Sequence, residues 1–182
     1  MTCIIGLVHD GKVWLGGDSA GTDSNYSQTI RADQKVFQSG PFLMGFCGSF
    51  RMGQLLHYTL RVPEQRSDQG DEEFMCTTFI EHVRECLRYG GFTYIDKNVE
   101  SGGNFLVGYR GSLYEIEEDF QVGRPTKDFL AIGCAEDFAM GAMNILMDSE
   151  EINPKTILRT ALKTAEEFSA GVAGPFVIMK EK

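Results

Sequence analysis

Apolar residues run without alternation over residues 2–8 and again over 13–17, with His9-Asp10-Gly11-Lys12 between them. An Asp-Gly pair between two apolar runs predicts a β-hairpin. A first strand that is apolar on both faces predicts a sheet covered on both sides. The polar stretch 19–34 predicts a loop or short irregular strands. Val36-Phe37 and the run 42–47 flank Ser39-Gly40-Pro41 and predict a second hairpin.

The pattern then changes to that of a helix. Residues 50–60 carry a helical pattern, and 61–70 form a polar linker containing Pro63. Over 72–88, Met75, Phe79, Val83, Cys86 and Leu87 fall on one stripe, and Gly90-Gly91 ends the helix. Strands return at 104–109 and 112–117 about the Arg110-Gly111 turn, and again at 129–132. Gly133-Cys134-Ala135 then leads into a helix over 137–147. Asn153-Pro154 starts a fourth helix with proline at its first position, and Ile157, Ala161, Ala165 and Phe168 stripe its inner face. A last strand is expected at 175–179. Strands, a helix pair, strands, a helix pair and a strand, with no repeat or composition break, predict one α+β domain over 1–182.

Composition narrows the partners. The chain has 182 residues, 42% of them apolar and 24% charged, the balance of a soluble globular protein. A formal net charge of -9 argues against nucleic acid, whose phosphates need a basic surface. No apolar run approaches the roughly 20 residues of a membrane span, and no basic n-region marks a secretory signal, so a cytoplasmic location is expected. The five cysteines form no CxxC and the three histidines share no ligand spacing, so free thiols in a reducing compartment are expected, with no metal and no organic cofactor.

Chemistry concentrates near the start. Thr2 follows the initiator methionine, so loss of Met1 would put a hydroxyl and a free α-amine on one residue. That amine, with an ordinary pKa of roughly 7.7–8.0, suits a general base near neutral pH. Asp18 ends the second predicted strand among glycines, and Lys35 opens the next; a lysine beside that carboxylate would stay cationic and favour loss of a nearby hydroxyl proton. Gly45-Phe46-Cys47-Gly48-Ser49 enters a helix, where a glycine N–H can meet a developing oxyanion.

Together these segments resemble the proteasome β-subunit family of N-terminal-nucleophile (Ntn) hydrolases, above all its small HslV type. The resemblance runs through residues 2–8, Asp10-Gly11-Lys12-Val13, Gly17-Asp18, Phe46-Cys47-Gly48 and Phe129-Leu130-Ala131-Ile132-Gly133. It implies a four-layer αββα sandwich and threonine-type endopeptidase activity against peptide or unfolded-protein substrates, in a self-compartmentalising homo-oligomeric ring that an ATP-dependent unfoldase could serve. By the same resemblance, Thr2 is the nucleophile and its amine the proton relay. Lys35 stabilises the oxygen, Asp18 orients Lys35, Gly48 N–H holds the oxyanion, and Thr22 binds the substrate backbone. Only methionine precedes the nucleophile, as in HslV. Lys35 matches with one residue inserted before it. Glu166 or Glu167, with Ser169, corresponds to the helper aspartate and serine. Cys134 stands where the family has the serine supporting the amine. A small-molecule Ntn amidase and an inert ring-forming subunit are the alternative functions.

Overall fold

The computed structural model describes residues 1–23, 25, 27–148 and 153–182. Ser24 and Tyr26, part of the polar stretch expected to loop, lie outside the described residues. In chain order the strands are β1 (Ile4–His9), β2 (Lys12–Gly17), β3 (Ala20–Thr22), β4 (Gln28–Ile30), β5 (Val36–Ser39) and β6 (Phe42–Phe46). After the first helices come β7 (Tyr94–Asp96), β8 (Val99–Ser101), β9 (Phe105–Tyr109), β10 (Ser112–Ile116), β11 (Val122–Gly123), β12 (Phe129–Ile132) and, last, β13 (Val177–Lys180). The helices are α1 (Phe50–Gln54), α2 (Asp71–Phe74), α3 (Ile80–Tyr89), α4 (Glu136–Leu146) and α5 (Pro154–Phe168). A wider π-type turn, Leu55–Thr59, extends α1, and a second, Met75–Phe79, joins α2 to α3.

Two antiparallel sheets carry the fold, one ordered β12-β1-β2-β13 and the other β11-β10-β9-β6-β5. The Asp10-Gly11 turn closes the β1–β2 hairpin with both residues at positive φ, 52° and 67°. Side chains of β1 alternate between two apolar environments. Cys3, just ahead of it, and Ile5 and Leu7 pack with Ala139, Met143, Leu158 and Leu162 of α4 and α5. Ile4 faces the other way and packs, with Val13 and Leu15 of β2, against Val36, Leu43, Leu106 and Leu113 of the second sheet. The far face of that second sheet packs Phe37, Met44, Phe105 and Val107 against Met52, Met75, Phe79 and Val83 on the first helix group. The unalternating first run is thereby explained: each side chain, whichever way it points, meets apolar neighbours, at about 1.5–3 kcal/mol per fully buried large side chain.

Asn153 caps α5, its side chain accepting from Lys155 N, with Pro154 at the start as the sequence predicts. Phe168 departs from the expected inner stripe and is 66% exposed. Phe168 stays in phase with Ile157 and Ala161, but it is the last residue of α5, past Ala165, where the buried face ends. There it stacks on Phe138 of α4 at 5.6 Å. The β7–β8 hairpin had no sequence signal strong enough to predict it. Glu100 anchors it, accepting from Arg84 and Arg88 of α3 at 2.9 and 2.8 Å. Those guanidinium groups hold the Glu100 carboxyl down at about 2.

Candidate active site

Three backbone segments bring the predicted residues together. The β1–β2 ladder pairs Ile4 with Gly17, and one step beyond, Cys3 meets Asp18. Asp18 N donates to Cys3 O at 3.4 Å, and Cys3 N donates to Asp18 Oδ1 at 3.0 Å. Thr2 precedes that pair. Lys35 arrives from the other sheet, immediately before β5, where Phe46 N donates to its carbonyl and extends the β5–β6 ladder. The start of β5 lies over the end of β2, close enough that a Cβ on Gly17 would meet Val36 Cγ2 at 2.9 Å.

Lys35 Nζ lies 3.0 Å from Thr2 Oγ1 and 2.9 and 3.0 Å from the two carboxylate oxygens of Asp18. Asp18 Oδ2 also accepts from Ala20 N at 2.9 Å, so backbone donors steady the carboxylate on the side away from the lysine. All three residues are buried: Thr2 is 3% exposed, Asp18 1% and Lys35 2%. Burial pushes the Lys35 ammonium below its ordinary range, and the neighbouring Asp18 opposes that shift without cancelling it. The expectation of a simply cationic lysine is thereby refined: its proton is held less tightly, beside a hydroxyl that it can assist.

Met1 is present, so Thr2 N is an amide, and the Thr2 hydroxyl donates to Met1 O. That amide donates to Cys134 Sγ at 3.4 Å, and the thiol in turn reaches Thr2 O at 3.5 Å and Ser169 Oγ at 3.9 Å. Ser169 Oγ accepts from Gly171 N. Neither candidate for the helper carboxylate, Glu166 or Glu167, is brought to Thr2. Glu166 Oε1 accepts from Gly174 N at 2.7 Å and ties down the loop after α5, and Glu167 is exposed. The reason is helical phase: both project from the solvent side of a helix whose inner face ends at Ala165.

Gly48 precedes Ser49, the N-cap of α1, whose side chain accepts from Arg51 N and Met52 N. Gly48 has φ +79°, and its N–H donates to no partner among the described residues. With Met1, Gly21, Thr22 and Phe50 it lines a cleft of about 230 Å³ beside the N-terminus. Cys3 points away from Thr2 into the helix-side core, as alternation along a strand predicts.

One residue escaped a sequence reading of its role. Gly133 takes φ +105°, and a Cβ there would sit 2.3 Å from Thr2 O. Its absence of a side chain lets the turn between β12 and α4 close over Thr2. A glycine after a strand was visible, but only the fold reveals what it abuts.

No family model matches the chain, and no curated protein sequence matches it. Solved structures do. Thiobacillus denitrificans BPH in complex with epoxomicin superposes with a TM-score of 0.81 at 17% identity, covering 98% of this chain and 97% of that one. HslV from Trypanosoma brucei gives 0.69 at 18% identity, covering 98% of each chain. Anbu, an ancestral beta-subunit, from Yersinia bercovieri gives 0.69 at 15%, covering 98% of this chain and 81% of that one. Near-complete coverage at such low identity means that backbone architecture is what these chains share. The chain therefore has the proteasome-like Ntn-hydrolase fold of BPH, HslV and Anbu, the fold that its opening segments resembled.

Proposed function

We propose that the chain, freed of Met1, is a threonine-type endopeptidase acting on peptides or unfolded proteins. The observation that carries this is the buried relay Thr2 Oγ1–Lys35 Nζ–Asp18, with a 3.0 Å contact at the hydroxyl. Once Met1 leaves, the Thr2 amine takes the hydroxyl proton while Lys35 stabilises the oxygen as it attacks the scissile carbonyl. Asp18 keeps Lys35 aimed. The Gly48 N–H, without a partner among the described residues, faces the developing oxyanion. The amine returns its proton to the leaving group, and water then hydrolyses the Thr2 ester. Thr22 lines the substrate cleft, and Ser169 supports the amine from behind Cys134.

The three apolar clusters support one domain in a four-layer αββα arrangement, with the site at one end of the facing sheets. An unguarded peptidase would digest its neighbours, so the working form is a homo-oligomeric ring enclosing the sites, supplied with unfolded chains by an ATP-dependent unfoldase in the cytoplasm. No helix among the described residues is long and apolar enough to cross a membrane.

The test combines intact mass with turnover. Chain lacking Met1 should cleave fluorogenic peptides and take up epoxomicin at Thr2, and chain retaining Met1 should do neither. Light scattering should give a multiple of the 20.3 kDa protomer. Met1-free chain that assembles but neither cleaves nor labels would make the protein an inert ring subunit. A monomer that cleaves only small amides would make it an amidase.

A further inference from the structure

The cleft beside Thr2 holds a guanidinium that the Thr2–Lys35–Asp18 relay does not use. Arg31 follows β4, and its backbone N–H donates to Ser19 O at 2.8 Å, one step beyond the β3–β4 ladder. Its stem crosses Gly21 of β3, where a Cβ would meet Arg31 Cδ at 2.6 Å and Cγ at 3.1 Å. Two contacts then hold the head. Nε and Nη2 donate to the two carboxylate oxygens of Asp33, both at 2.7 Å. The guanidinium carbon also lies 4.1 Å from the centre of the Phe50 ring. Phe50 is itself braced edge-on against buried Phe46 at 5.6 Å. A long side chain that would otherwise spend rotamer entropy on binding is set in place beforehand.

Asp33 takes only one edge of that fork. Nη1 donates to no partner among the described residues, and the Nη1–Nη2 edge is the size that a second carboxylate fills with two parallel hydrogen bonds. Hydrogen bonding to Asp33 holds Arg31 all the more firmly protonated. Asp23, the carboxylate that lines the cleft, is turned into its own loop, where Oδ1 accepts from Asn25 N and Ser27 N at 2.9 Å each. Gly48 and Phe50 line the cleft with Arg31. The Phe50 ring centre is 5.8 Å from Lys35 Nζ, so a single aromatic ring separates the relay from the guanidinium.

Resting on the peptidase reading, we propose that Arg31 selects substrates with an acidic side chain, glutamate above all, on the residue whose carbonyl Thr2 attacks. The methylenes of that side chain lie along Phe50, and its carboxylate docks on the open Nη1–Nη2 edge. Asp33 and Phe50 keep the guanidinium aimed. Discrimination against a neutral amide of the same shape is that of a charge-assisted pair, reduced because the Arg31 side chain is 40% exposed.

Two fluorogenic tetrapeptides, differing only in Glu or Gln before an aminocoumarin amide, are the probes. Met1-free chain should favour the Glu peptide about tenfold in kcat/KM. Arg31→Gln should bring that ratio to about one. Arg31→Lys, which keeps the charge and loses the fork, should fall between the two. A wild-type ratio of one or less, or a preference that survives Arg31→Gln, would overturn the assignment and leave the peptidase standing. Binding of the same peptides to Thr2→Ala chain processed to begin at residue 2, followed by isothermal titration, separates the two readings. Tighter binding of the Glu peptide, lost in the Arg31→Gln double variant, supports the assignment even where Met1-free wild type cleaves nothing, a failure that counts against the proposed function alone. Equal binding of the two peptides, or binding of neither, would overturn it.

Discussion

Gly133→Ala concentrates the geometry of the site in one methyl group. The new Cβ would stand 2.3 Å from Thr2 O and 3.0 Å from Thr2 C, where carbon–oxygen contacts normally sit at about 3.3–3.6 Å. The Thr2 carbonyl belongs to backbone and cannot swing aside like a side chain, so it must retreat by about 1 Å. A displacement of that size at the reacting residue costs on the order of 100-fold in turnover. The residue also sits at φ +105°, a left-handed conformation that costs a side-chain-bearing residue about 1–3 kcal/mol. For a chain of this size, about 2 kcal/mol corresponds to a Tm lowered by roughly 4–8 °C. Gly40→Ala separates the two effects. Gly40 has φ +57° in the β5–β6 turn, and a Cβ there meets nothing within 4 Å, so it should show backbone strain alone with kcat preserved. Thermal melts followed by circular dichroism and peptide hydrolysis by Met1-free protein measure both quantities. Gly133→Ala with unchanged Tm and kcat, or with losses no greater than those of Gly40→Ala, would refute the claim that this glycine shapes the position of Thr2.

Lys35→Met should strand the Asp18 carboxylate in a site where its side chain is 0% exposed, costing about 3–5 kcal/mol in urea unfolding. Adding Asp18→Asn to that variant should recover part of the loss; a strictly additive pair would show that the two residues are not energetically coupled. Thr2→Ala, in chain processed to begin at residue 2, should abolish peptide hydrolysis while costing only about 1 kcal/mol of stability, since one hydroxyl is removed. Residual turnover there would point to a different nucleophile. Glu100 is held at about 2 against an ordinary 4.5, so it contributes stability above pH 4.5 that is lost as the pH falls toward 2. Glu100→Gln should therefore melt below wild type at pH 7, with most of that gap closed at pH 2; an equal gap at both values would contradict that sign.

Much of the architecture is legible from local pattern, because local pattern is what the backbone responds to first. Asp10-Gly11 permits the positive φ angles of a tight turn, Asn153-Pro154 caps and starts α5, and a run apolar on both faces requires cover on both. Thr2, Asp18 and Lys35 were recoverable because each sits at a strand end, where the ladder register carries it to its neighbours. Phe168 was misread because the last turn of α5 lies past its buried face, and Glu166, expected only from the resemblance, is bonded by Gly174 N instead of reaching Thr2. What the chain determined alone was the set of elements and the residues able to do chemistry, since propensity, capping and periodicity act over a few residues. Only the fold decided the distances at which Lys35 crosses from one sheet to Thr2 of the other, that burial lowers its hold on its proton, and that Gly133, 131 residues away, leaves room for the Thr2 carbonyl, because desolvation and contact depend on how layers stack and not on spacing along the chain.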